Sequence, residues 1–304
     1  MSACDTADMF GEAISRQPLS PAGTPLLIPR LSVLNARAGE WQDRKRAWMQ
    51  LGIKSEVGRA DNLLKYSDTV KIGSGTSIFD PVLCEIAYRW FSGAGAQIID
   101  PFAGGSVRGI IAAHLGRRYW GCDLRAEQIA ENRAQAEAIC AGLPNQPEWV
   151  CGDSMQKAEE APPADLLFTC PPYGDLEEYS SDPLDLSYMT HAAFLIAYRA
   201  IIAKACQRLR DNRFACIVVG DFRDPAGNYR NFVSDTIAAF LDAGLKLHSE
   251  AILQTSVGSS AMRVTKIFGS GRKFCKTHQN VLVFVKGDGR KAADEAMRVE
   301  AGKA

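Results

Sequence analysis

Near the middle of the chain an apolar run, Ala-Asp-Leu-Leu-Phe at 164–168, is followed at once by Thr-Cys-Pro-Pro-Tyr-Gly at 169–174. Pro171 and Pro172 can neither donate to a sheet ladder nor continue a helix, so a strand ending there meets a rigid corner without backbone N–H groups. Such a corner holds its carbonyls in fixed directions. Cys170 on one side is small, and Tyr173 on the other offers a ring on which a flat partner can stack. This set suits an amine whose lone pair is delocalised into a ring: a carbonyl accepting its N–H helps the nitrogen rehybridise as it attacks an electrophile. A second set of residues suits a polar ligand. Asp100, Phe102, Gly104 and Gly105 lie in Asp-Pro-Phe-Ala-Gly-Gly-Ser at 100–106, Asp123 closes the following strand pattern, and Asp153 ends Cys-Gly-Asp at 151–153. The two glycines let backbone approach a ligand closely. A carboxylate at Asp123 can accept both hydroxyls of a ribose, and Asp153 can meet an adenine amino group. Asp100, at the start of the loop, disfavours phosphate and favours a cation or an amine.

The elements that must position these residues alternate along the chain. Strand patterns occupy 96–102, 118–124, 148–153, 164–170, 214–220, 245–253 and 280–287, and helical patterns 79–91, 105–116, 125–140, 187–209 and 231–244. Strand-helix alternation predicts an α/β fold with a mostly parallel seven-stranded sheet covered on both faces. The last two strands have no helix pattern between them, which predicts an antiparallel hairpin with a long inserted loop. In such sheets ligands sit at the carboxyl ends of the strands near the switch point, where both residue sets fall. Residues 1–70 read as an N-terminal arm with a basic helix at 41–53, 71–290 as the catalytic domain, with a glycine-rich loop at 71–77, and 291–304 as a tail.

Composition narrows the class. The chain has 304 residues, 46% hydrophobic and 23% charged, with a formal net charge of zero, so an anionic partner must be met by a local patch. Nine cysteines without a Cys-x-x-Cys pair speak for a reduced, cytoplasmic protein and against a disulfide framework or a metal site. No basic segment followed by an apolar run opens the sequence, and no apolar run reaches spanning length, so neither a signal peptide nor a membrane partner is expected.

Gly-Gly-Ser-Val-Arg-Gly at 104–109 departs from the dinucleotide pattern G-x-G-x-x-G. A ligand with a sulfonium, an amine and a ribose, such as S-adenosylmethionine, fits the acids better than a nicotinamide dinucleotide does. The alternative is a tight strand-to-helix turn with no ligand. Taken in order, Asp-Pro-Phe-Ala-Gly-Gly-Ser and Thr-Cys-Pro-Pro-Tyr-Gly resemble the amino-methyltransferases of DNA, which methylate adenine N6 or cytosine N4, and within them the orphan methylases of phages and prophages. Ile-Phe-Asp-Pro-Val-Leu at 78–83 is similar to that family's methionine-side segment, and Thr-His-Gln-Asn-Val-Leu-Val-Phe-Val-Lys-Gly at 277–287 to its last strand, so the resemblance spans roughly 70–287. It implies a Rossmann-like S-adenosylmethionine-dependent methyltransferase fold. It also implies Phe79 and Pro81 on the cofactor, a base flipped out of double-stranded DNA, and a catalytic corner of Cys170, Pro171, Pro172 and Tyr173. Two departures stand out. Gly104-Gly105-Ser106 replaces Gly-Ser-Gly, and Cys170 replaces Asp, Asn or Ser. Cysteine is closest to the serine of the cytosine-N4 enzymes, which favours cytosine N4 slightly. Sulfur is a weak acceptor, so Cys170 contributes shape or packing more than a hydrogen bond. A covalent cytosine-C5 mechanism needs Pro-Cys and a Glu-Asn-Val segment, and the chain has neither. Methylation of RNA or of a protein amide, and a catalytically inactive DNA-binding relative, are the alternatives.

Residues 255–286 carry Arg263, Lys266, Arg272, Lys273, Lys276 and Lys286 and no acid, and read as a flexible loop suited to a phosphate backbone. Arg-Lys-Arg-Ala-Trp at 44–48 is a weaker candidate. Against them stands the acidic run of Asp175, Glu177, Glu178, Asp182 and Asp185, the last placed to cap the segment after it. Tyr179 could pack over a base. No large target-recognition domain is visible, so sequence specificity is expected to be short.

Overall fold

Alternation along the central strands dictates a two-faced sheet. In the computed structural model, which describes residues 21–54, 79–174, 182–258 and 260–298, Phe214, Cys216 and Val218 point into one hydrophobic core and Ala215, Ile217 and Val219 into another. Val281, Val283 and Val285 alternate with Leu282 and Phe284 in the same way. Such strands, buried on both faces, read as continuous apolar runs. The glycine-rich segment at 71–77, the acids Asp175, Glu177 and Glu178, and Tyr179 lie outside the described residues.

In chain order the elements are β1 (Val33–Asn35), α1 (Gly39–Met49), α2 (Pro81–Phe91), β2 (Gln97–Asp100), α3 (Val107–His114), β3 (Arg118–Asp123), α4 (Ala126–Ile139), β4 (Glu148–Cys151), α5 (Ser154–Lys157), β5 (Ala164–Thr169), α6 (His191–Arg208), β6 (Leu209–Val219), α7 (Phe232–Asp242), β7 (Lys246–Gln254), α8 (Ser260–Gly271), β8 (His278–Lys286) and α9 (Gly289–Arg298). The sheet order is β1-β7-β8-β6-β5-β2-β3-β4. All pairings are parallel except those of β8, which runs against both β6 and β7. The chain winds outward from β2 to β4 and then returns to β5 on the other side of β2, so the switch point lies between β2 and β5.

Three expectations need correction. The sheet has eight strands, not seven, because β1 pairs with β7 through Val33↔Ile252 to Asn35↔Gln254. The loop between β7 and β8 contains a helix, α8. The segment expected as a tail begins inside α9, whose Ala292 and Ala296 are buried in the same core as α2.

The N-terminal elements are equally part of the body. Trp41 and Trp48 of α1 are fully buried, and the Trp48 indole donates to Glu85 at 2.8 Å. Glu85 is itself fully buried in α2 and is paired with Arg44 and with Arg89. Asp80 starts α2 by accepting from the backbone N–H of Val82 and Leu83, and Pro81 follows at the first helical position.

Candidate functional site

At the carboxyl ends of β2, β3 and β5 lies a cavity of about 360 Å³, within the common range for small-molecule sites of roughly 300–1,000 Å³. Gly104 and Gly105 form part of its floor, and Gly104 takes φ +50°, a conformation that favours glycine. The turn is pinned from three sides. Ala103 N–H donates to the Cys122 carbonyl at 2.9 Å, Gly104 N–H to Asp123 Oδ2 at 3.0 Å, and the buried Asn132 amide to the Gly104 carbonyl at 2.7 Å. A strand-to-helix turn fixed this way keeps its backbone against the cavity without a bulky side chain between.

Asp123 lines the cavity with its side chain 17% exposed. Each carboxylate oxygen accepts one backbone N–H, Oδ2 from Gly104 and Oδ1 from Arg125 at 3.0 Å, which leaves each a lone pair for a hydroxyl. Burial pushes its pKa up, against the pull of those N–H groups and of the Arg125 guanidinium, while Asp185 across the cavity pushes further upward. Asp153 also lines the cavity and uses one oxygen to cap α5 through Met155 N–H at 2.8 Å. Phe79 and Phe102 complete the apolar wall, Phe79 lying under the Arg108 guanidinium at 4.6 Å from the ring centre.

Asp100 behaves differently from the expectation. It does not line the cavity but lies fully buried behind the glycine turn. The cation it attracts is the chain's own Arg108, whose Nε is 2.5 Å from Oδ2. Tyr119 Oη donates to the same oxygen at 2.7 Å, while Thr169 Oγ1 at 2.5 Å and Phe102 N–H at 3.2 Å donate to Oδ1. Arg108 in turn holds the carbonyls of Phe102 and Ala103. One carboxylate therefore ties together β2, β3, α3 and the last residue of β5. Pro81 is likewise buried in the first turn of α2 and does not line the cavity.

Immediately after Thr169 the corner of Cys170, Pro171, Pro172 and Tyr173 forms the facing wall of the same cavity. Gly174 closes the corner at φ +54°. Tyr173 stands edge-on to Phe222, after β6, and to Phe232, at the start of α7, and its Oη accepts from Gln279 Nε2 of β8 at 2.6 Å, so ring and hydroxyl are held from different elements. Asp185, one of the two described acids of the acidic run, caps the short turn Leu186–Tyr188 as expected and also lines the cavity.

The basic residues occupy a different place. Arg263, Lys266 and Arg272 are exposed on and just after α8, and Lys273 reaches over Gly227 in the 221–231 loop. None of these four lines the cavity. Lys276 comes nearest: a Cβ at Gly220 would stand 3.7 Å from its Nζ and 3.8 Å from Tyr173 Oη. Burial pulls the Lys276 pKa down, opposed by Asp221 and aided by Arg223. Arg44 of the second basic stretch is committed to Glu85 and to backbone carbonyls of the segment before it.

Sequence reasoning missed Arg108 and Gln42 and read Lys45 and Gln279 only as part of the 44–48 and 277–287 segments; all four reach the site, from α3, α1 and β8. Arg108 had a signal, since it lies in the first turn after a glycine loop that begins with an acid. The others come from segments far apart in sequence, and nothing local marks them.

Strand order, the single reversed strand and the switch-point cavity define a Rossmann-like methyltransferase fold. No protein-family model matches the sequence, and no curated protein does. Among solved structures the chain is similar to TrmN from Thermus thermophilus, with 15% identity over 69% of this chain and 50% of that one, at a TM-score of 0.46. It is also similar to magnesium protoporphyrin IX methyltransferase (ChlM) from Synechocystis PCC 6803, with 13% identity over 68% and 76% of the two chains at a TM-score of 0.43. A third likeness is to precorrin-6y C5,15-methyltransferase from Geobacter metallireducens, with 11% identity over 76% and 98% at a TM-score of 0.44. The match spans half the length of the Thermus chain. None of these likenesses bears on the substrate. Among the described residues no helix is long and apolar enough to cross a membrane.

Proposed function

We propose that the chain uses S-adenosylmethionine to methylate an exocyclic amino group of a base in double-stranded DNA, cytosine N4 in preference to adenine N6. The observation that carries this reading is the position of the donor-free corner. Cys170, Pro171, Pro172 and Tyr173 share one cavity with the glycine turn and Asp123.

The lining fits the cofactor. Asp123 keeps acceptor capacity for two ribose hydroxyls, Asp153 keeps one carboxylate oxygen for an adenine amino group, and Phe79 and Phe102 offer apolar surface. When bound, S-adenosylmethionine supplies an electrophilic methyl group on sulfur. The chain's part is to present the amine. Pro171 and Pro172 have no N–H and can only accept from the attacking nitrogen, which favours an amino group over a carbonyl or ring acceptor there. Tyr173 offers its ring to the base while Gln279 fixes its hydroxyl. A base reaches such a cavity only when turned out of the stack, and the cations on and after α8, in the connection between β7 and β8, suit the flanking phosphates.

Labelled methyl transfer from S-adenosylmethionine to DNA, RNA and protein in parallel tests the reading, followed by nucleoside mass spectrometry. N4-methylcytosine or N6-methyladenine in DNA is the expected product. 5-Methylcytosine, or label in RNA or protein alone, would overturn it.

A further inference from the structure

The loop 221–231 joins β6 to α7 beside the cavity without lining it. It is built as a small hairpin. Arg223 and Tyr229 face each other across it as an antiparallel bridge. Arg230 N–H donates to the Phe222 carbonyl at 3.0 Å, Asp224 N–H to the Asn228 carbonyl at 2.9 Å and Gly227 N–H to the Asp224 carbonyl at 2.8 Å. The hairpin sets the Arg223 guanidinium over the Tyr229 ring, 3.9 Å from its centre. Two lysines from the segment after α8 come to the same place. Lys276 Nζ lies 5.8 Å from the centre of the Tyr229 ring. Lys273 runs over Gly227, where a Cβ would stand only 1.7 Å from its Nζ, and Arg223 donates to the carbonyl of that glycine at 2.9 Å.

Three half-buried cations from two connections therefore meet around one tyrosine, and among the described residues none of them has an ion-pair partner. Lys273 and Lys276 donate no hydrogen bond there, and Arg223 only the one to Gly227. The acids of the loop face backbone instead: Asp224 Oδ1 accepts from Asn228 N–H at 2.8 Å and Asp221 Oδ1 from Val233 N–H at 3.2 Å. Burial lowers the Lys276 pKa and Arg223 lowers it further, against the pull of Asp221. An anion that accepts from several directions at once offsets such crowding, and a phosphodiester, with two charged oxygens, is one. The cluster also begins where the base platform ends, since Lys276 Nζ and Tyr173 Oη flank the same point above Gly220. Resting on the DNA reading, we propose that Arg223, Lys273 and Lys276 seat one backbone phosphate next to the turned-out nucleotide, with Tyr229 aiming the guanidinium. The exposed Arg263, Lys266 and Arg272 can meet a backbone anywhere along the duplex. This seat fixes the register of the strand against the cavity.

The test is fluorescence anisotropy on a duplex that the chain methylates, with one phosphate at a time near the target base replaced by a neutral methylphosphonate. The wild-type chain should lose roughly tenfold in affinity when the seated phosphate is neutral, and less at its neighbours. Arg223→Gln should lose roughly tenfold on ordinary DNA. It should then be indifferent, within about twofold, to a methylphosphonate at that one position, because the two halves of a single contact do not add. Losses that multiply at every position near the target, or wild-type affinity in Arg223→Gln, overturn the inference. If Arg223→Gln fails to fold by thermal melting, Lys273→Gln takes its place with the same expectations. A wild-type chain that methylates no DNA overturns the DNA reading itself, and the inference with it.

Discussion

Replacing Asp100 by Asn separates two roles for one carboxylate. The shape is kept, the charge is lost, and the amide brings two donors to a position where four groups already donate: Arg108, Tyr119, Thr169 and Phe102 N–H. Arg108 is 5% exposed and would be left buried without its counter-charge. Removing one partner of a buried pair costs about 3–5 kcal/mol. For a chain of this size that corresponds to a fall in melting temperature of roughly 6–10 °C, at about 2 °C per kcal/mol. The assay is denaturant unfolding of Asp100→Asn and wild type, beside calorimetric affinity for S-adenosylhomocysteine. The expected result is a large loss of stability and, where the variant is folded, an affinity reduced by much less than tenfold. Unchanged stability with affinity lost by tenfold or more would refute the reasoning, because it would make Asp100 a ligand of the cofactor amine.

Asp123 should make cofactor affinity depend on pH. Because burial raises its pKa, affinity is complete well above the raised value and falls as pH descends through it, while folding stability rises over the same window because the folded chain holds the proton more tightly. Asp123→Asn should weaken binding and flatten both profiles, and titration calorimetry across the acid range reads the first directly. At the corner, Cys170→Ser should keep or raise methyl transfer and Cys170→Ala should retain measurable turnover. Tyr173→Ala should lose about five- to 150-fold, the roughly 1–3 kcal/mol of stacking on a base; steady-state rates in the opposite order would refute an amine mechanism. Neutralising Arg272, Lys273 and Lys276 together should reduce the salt slope of DNA binding by about one unit for each phosphate no longer neutralised, with cofactor affinity unchanged. An unaltered slope in fluorescence titrations would make α8 and the segment after it a solvated surface.

The main frame was legible because its signals are local. Apolar runs ending at Pro or Gly marked β2, β5 and β6, and Asp80-Pro81 marked the start of α2. The parts that escaped depend on neighbours distant in sequence. β1 is only Val33–Asn35, with Leu34 its single buried residue, and is a strand because β7 offers it an edge. α8 was hidden by the Gly and Ser at its ends, whose weak propensity gave the whole insertion the look of a loop. Asp100 was expected to meet a cationic or amine group of the ligand, and it lies buried off the cavity instead. That its cation would be Arg108, eight residues on, required knowing how α3 rises against the strand end. Lys45 pairs with Asp80 across 35 positions, a juxtaposition that no motif spacing records.

The insertion of β8 between β6 and β7 sets an order of assembly. β7 and β6 are not neighbours; each is hydrogen-bonded to β8, which is synthesised after both. Until residues 278–286 have emerged, β7 and the β1 edge attached to it have no place in the sheet. Leu253, Thr255 and Ser256 from the end of β7, and Gln279 from β8, are then missing from the cavity wall, and Tyr173 lacks its anchor. Pairings that wait for distant chain are also the slow ones to form. A nascent chain halted before β8 can build the β2–β5 half of the pocket but not close it. Competence therefore arrives late and in one step, with the strand that runs against its neighbours.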